Sequence, residues 1–132
     1  MDIYRLLGWF NVVLIAVMTA PYWLRFLNNH TFHLKGGAYA KTVKVLRAVH
    51  KPLGVFILLI ALVHGYLAWG TLRLHTGTFV WLSVLITAIL GLLFFLTKKN
   101  ALFVWHKRMV LVIIAVLLIH LFFPGAVYYL LG

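Results

Sequence analysis

The chain contains no cysteine and only one acidic residue, Asp2. The first absence removes disulfides, iron–sulfur ligands and thiol chemistry. The second removes the Asp and Glu side chains from which proton relays inside membranes are usually built, so proton pumping by this chain is not expected. A Gly-rich dinucleotide fingerprint is also missing, and a flavin or nicotinamide domain is not expected within these residues.

What is present is apolar. Of the 132 residues, 65% are hydrophobic, and the mean hydropathy of +1.08 is far above that of a soluble domain. The composition predicts one membrane domain over 1–132. The net charge is +11, from twelve Lys and Arg. These cations sit in short stretches between apolar runs, where topology and lipid headgroups explain them, and nucleic acid is not an expected partner. The first twenty residues loosely resemble a signal peptide, but Pro21, Tyr22, Trp23, Leu24, Phe26 and Leu27 carry the apolar run onward, which predicts a retained transmembrane helix.

Hydropathy predicts four spans, at about 4–27, 44–69, 79–97 and 102–123. Residues 28–42, with Asn28, Asn29, Gly36 and Gly37, read as a loop. Gly70 to Thr78 read as a turn, and the stretch after Pro124-Gly125, with Tyr128 and Tyr129, as an interfacial tail. Pro21 is expected to bend the end of the first span, and Pro52 to lie early in the second. Short connections between four spans imply an all-α, antiparallel four-helix bundle in the membrane.

Charge predicts the orientation. Arg25, Lys35, Lys41, Lys44, Arg47, Lys51, Lys98, Lys99, Lys107 and Arg108 fall at one side, and only Arg5 and Arg73 at the other. The first and third loops are therefore expected in the cytoplasm and both termini outside a plasma (inner) membrane. Trp23 and Trp105 then mark the inner interface, and Trp9, Trp69 and Trp81 the outer one.

Within this apolar frame one pattern repeats. His50 and His64 bracket an apolar run in the second span, and His106 and His120 bracket another in the fourth, fourteen residues apart in both cases. On a helix that interval rises about 21 Å and falls within about 40° of four full turns, so each pair shares a face. With the second and fourth spans running in the same direction, His50 and His106 lie at the cytoplasmic level and His64 and His120 at the outer level. Each level can supply two axial imidazoles to one iron, which is the geometry that holds two stacked haems. An iron ligated on both faces has no open site and serves electron transfer. The alternative is four unrelated buried histidines making helix-to-helix hydrogen bonds. Equal spacing on two parallel spans argues against it.

Gly54, Ala61, Gly65 and Ala115 lie near these histidines and would relieve a porphyrin plane, although small residues also serve plain helix packing. Arg47, Lys51, Lys107 and Arg108 crowd the inner pair and are candidates for haem propionates as well as for anchoring; Arg73 and His75 are weaker candidates outside. His30 and His33 have a ligand-like spacing but no acid or thiol nearby, and a solvated or lipid-facing role is expected. The first and third spans carry no site signal of their own.

Two stretches resemble a known family. Val49-His50-Lys51-Pro52-Leu53-Gly54 through His64-Gly65-Tyr66-Leu67-Ala68-Trp69 resembles the first haem helix of the ferric reductase-like transmembrane family. Trp105-His106-Lys107-Arg108-Met109 through His120-Leu121-Phe122 resembles its second. Small bacterial four-helix di-haem cytochromes are similar. The likeness covers about half of the chain and implies that His50, His64, His106 and His120 ligate two non-covalently held haem b groups. Larger members have about six spans and often a fused flavin–nicotinamide domain.

The expected function is electron transfer across the membrane. The donor would be a cytoplasmic flavoprotein or a quinol, and the acceptor an extracytoplasmic redox protein, ferric iron or oxygen. The alternatives are a haem-containing anchor subunit of a larger quinone-linked oxidoreductase complex, and a haem-free channel or assembly factor.

Overall fold

The computed structural model describes residues 2–71 and 74–131. Arg73, a candidate at the outer level, and the C-terminal Gly132 lie outside the described residues. Most of the described residues are helical, with no strand among them. The helices are α1 (Ile3–Leu27), α2 (Gly37–Trp69), α3 (Thr76–Thr97), α4 (Asn100–Phe122) and the short α5 (Ala126–Leu131), with a π-helical segment, Asn28–Phe32, continuing α1.

Among the described residues, four helical stretches are long and apolar enough to cross a membrane: Ile3–Phe32, Gly37–Trp69, Thr76–Thr97 and Asn100–Phe122. At 1.5 Å per residue, even the 22 residues of α3 reach about 33 Å, enough for a hydrocarbon layer of about 30 Å. The apolar surface also faces outward: Val55, Leu59, Leu92 and Leu96 are each more than half exposed. A soluble protein of this size would bury such side chains; here lipid is the medium that removes them from water. The architecture is that of a multi-pass membrane protein.

The chain divides into two compact units, Met1–Ile60 and Ala61–Gly132. In the first, α1 packs on α2. Phe10 meets Phe56 edge to face, with ring centroids 6.2 Å apart. Leu14, Ile15, Val43 and Ile57 are buried. Asn11 is buried too, and neither its side-chain oxygen nor its nitrogen has a hydrogen-bond partner. Thr19 disposes of its hydroxyl locally by donating to the Ile15 carbonyl, 2.8 Å away. The π-helical segment closes through His33 N–H to the Asn28 carbonyl at 2.8 Å, and the Asn28 side chain both accepts from Leu34 N–H and donates to the Leu34 carbonyl.

The region expected to be a loop over 28–42 is therefore mostly helical, with only 33–36 between helices. Its C-terminal half, Ala38-Tyr39-Ala40-Lys41 onward, is rich in good helix formers, and α2 begins at Gly37 rather than near 44. Charge had marked where the apolar layer stops, and the helix does not stop with it. The same early start changes the setting of Pro52. It lies in the interior of α2, where its missing N–H leaves the Ala48 carbonyl without its usual helical donor. Pro21 likewise lies within an unbroken α1.

In the second unit, α3 and α4 form an antiparallel pair. Lys98, in the left-handed region with φ 56°, ends α3 and returns its N–H to the Phe94 carbonyl at 2.8 Å. Phe94 stacks on Phe103 just beyond the turn, with centroids 4.9 Å apart. Thr76, Ser83, Val110 and Ile113 are buried along this pair. α3 begins at Thr76, three residues before the expected start, with His75 as its N-cap. Residues 126–131, expected as a tail, form α5.

Candidate histidine site

The four histidines singled out by spacing are all partly buried, whereas His30 and His33 are exposed. In the first unit, α2 places His50 against α1, where its Nδ1–H donates to the Met18 carbonyl at 3.2 Å. Gly54, one turn further along α2, faces the Met18 methyl group: a Cβ there would lie 3.4 Å from it, an ordinary contact. So Gly54 fits helix packing as well as it fits a porphyrin.

In the second unit, α4 places both of its histidines against α3. His106 Nδ1–H donates to the Thr87 carbonyl at 2.8 Å. A helix carbonyl points toward the residue four positions later, which for Thr87 is Gly91. A Cβ on Gly91 would sit 3.0 Å from His106 Cε1 and 3.1 Å from its Nδ1. The imidazole thus occupies the space a side chain at 91 would need. Gly77 does the same for the other histidine: a Cβ there would lie 3.1 Å from His120 Cε1 and 3.1 Å from His75 Nε2.

Thr76 holds His120. Its hydroxyl oxygen is 2.8 Å from His120 Nδ1 and donates to the Pro124 carbonyl at 3.0 Å. A hydroxyl has one proton to give. With that proton on Pro124, the oxygen accepts, and His120 Nδ1 must carry the hydrogen. The same logic is stricter for His50 and His106, because a carbonyl can only accept. All three imidazoles therefore have Nδ1 protonated, and in the neutral ring the lone pair is on Nε2. That is the state in which imidazole ligates a transition metal, with the other nitrogen fixed by a hydrogen bond.

His64, on α2 within the second unit, lies within electrostatic reach of His120, as does His75. The His75 ring is 6.3 Å from that of His120 and nearly perpendicular to it, and Trp69 packs against His75 with centroids 5.5 Å apart. His75 thus belongs to the surroundings of His120.

The basic residues behave differently. Arg47, Lys51, Lys107 and Arg108 are exposed. The Arg108 guanidinium lies over the Trp105 ring at 5.3 Å, and the Lys107 ammonium over Phe103 at 4.7 Å. Both sit on aromatics of their own helix, as interfacial anchors do. His30 Nδ1–H is given to the Phe26 carbonyl at 2.7 Å, and His33 meets the Thr31 carbonyl. Among the described residues no three His, Cys, Asp or Glu side chains gather into a metal-ion site. A pair of axial histidines is a different arrangement from such a cluster.

Hydropathy alone gives the third span no site signal. In the structure it supplies a carbonyl, a hydroxyl and two glycine gaps to the histidines of α4. One signal for this was available: Gly77 and Gly91 are fourteen residues apart, the same interval as His106 and His120. No protein-family model, no curated protein and no solved structure matches this chain.

Proposed function

We propose that the chain is a two-haem b-type cytochrome that carries electrons across the plasma membrane. This reading carries forward the expected antiparallel four-helix bundle, in which the second and fourth spans would run in the same direction. His50 and His106 would be the axial ligands at the cytoplasmic level and His64 and His120 those at the outer level. Held by these imidazoles, haem would supply one-electron transfer. Arg47, Lys51 and Arg108 would offer cations to propionates at the inner level, and the donor would be a flavoprotein or quinol.

The observation that carries this reading is the state of the imidazoles. His50, His106 and His120 each commit Nδ1–H to an acceptor, which is the tautomer in which a histidine ligates iron through Nε2. The fit is supported by the glycine gaps at 77 and 91, which let both α4 rings seat against α3. The absence of any Cys-x-x-Cys-His means that haem would be bound without covalent attachment.

Purified protein is expected to contain about two haems per chain with a low-spin, six-coordinate absorption spectrum. A stoichiometry of zero or one would defeat the two-level arrangement. Orientation is tested separately. A reporter that works only outside the cytoplasm, fused after Gly132, is expected to be active, and the same reporter inserted beside Lys41 or Lys99 to be silent. The opposite pattern would reverse the proposed direction of electron flow.

A further inference from the structure

His50 and His106 give their Nδ1 hydrogens to backbone carbonyls, which no side-chain substitution removes. His120 gives its hydrogen to a side chain. Thr76, 3% exposed at the first turn of α3, is that acceptor. Its own proton goes to the Pro124 carbonyl at the end of α4. Donating while accepting polarises the hydroxyl and strengthens both bonds, more so where water is excluded. The three groups form one directed chain, from imidazole N–H to hydroxyl to carbonyl.

We propose that Thr76 is a positioning residue for His120, holding the ring so that Nε2 faces the iron and raising its strength as a donor. This rests on the haem reading above. A stronger hydrogen bond from Nδ1–H makes the imidazole more basic at Nε2, which favours ferric over ferrous iron. Thr76 would therefore hold down the reduction potential of one haem, the one ligated by His120, and leave the other untouched. Gly77 belongs to the same device, because a side chain there would push into the His120 ring.

The test is a redox titration, followed by absorbance, of the purified wild-type protein and of the Thr76→Val and Thr76→Ser variants. Valine keeps the shape and removes the hydroxyl; serine keeps the hydroxyl. The expected result is an upward shift of one haem component in Thr76→Val, no change in the other, and wild-type potentials in Thr76→Ser. If Thr76→Val loses that haem altogether, Thr76→Ser is still expected to retain both haems at wild-type potentials. Two unchanged potentials in a haem-replete Thr76→Val protein would overturn the inference, and so would a Thr76→Ser protein that behaves like the valine variant. Those outcomes leave the two-haem reading standing, whereas wild-type protein that contains no haem overturns both.

Discussion

Replacing His50 or His106 by alanine is expected to remove one and the same haem component, lowering the content from about two haems per chain to about one. The double variant His50→Ala/His106→Ala is expected to match either single variant, because two ligands of one iron form one site and their losses do not add. His50→Ala combined with His64→Ala is expected to lose both haems. The reason is distance along α2. Fourteen residues on one helix separate His50 from His64 by about 21 Å, so no single iron can use both. Content measured by pyridine haemochrome, together with the spectrum of each variant, gives the answer. If His50→Ala and His106→Ala remove different components, α2 and α4 are not parallel partners and the bundle proposed above is wrong.

A comparably large effect is expected where no ligand is touched. Gly91→Val is expected to weaken haem binding at the His106 level, since its Cβ would stand 3.0 Å from His106 Cε1 and its branches nearer still. The ring cannot retreat and also keep its bond to the Thr87 carbonyl. Overpacking of this kind costs about 1 to 3 kcal/mol, which, taken from binding, is roughly a factor of 5 to 150 in affinity. Gly36→Val, in the stretch between helices, is the matched control. Its Cβ would meet nothing within 4 Å, and both haems should stay. The Gly91→Val protein should resemble His106→Ala in its spectrum. A Gly91→Val protein with full haem content would mean that the His106 ring does not rest in the gap at Gly91.

The four spans were legible from the sequence because hydropathy is a local property. Every residue of Thr76–Thr97 and of Asn100–Phe122 contributes to it without knowing its neighbours in space. The boundaries were less legible. The expected loop over 28–42 dissolved into a π-helical segment and the first turns of α2, because helix propensity and apolar character are separate quantities and only the second changes near Lys41, Lys44 and Arg47. Pro52 moved from an early turn to a helix interior for the same reason.

The histidine pairs at 50 and 64 and at 106 and 120 were determined by the sequence alone, since a fixed interval on a helix fixes a shared face before any packing is known. Tertiary structure decided what each imidazole does with its Nδ1. The Met18 carbonyl, the Thr87 carbonyl and the Thr76 hydroxyl lie 32, 19 and 44 residues from the histidines they hold. No local pattern connects such partners. A backbone carbonyl leaves no mark in the sequence at all, because every residue has one. What let α4 approach α3 closely enough to use them was the missing Cβ at Gly77 and Gly91, and a gap acquires meaning only when another helix fills it.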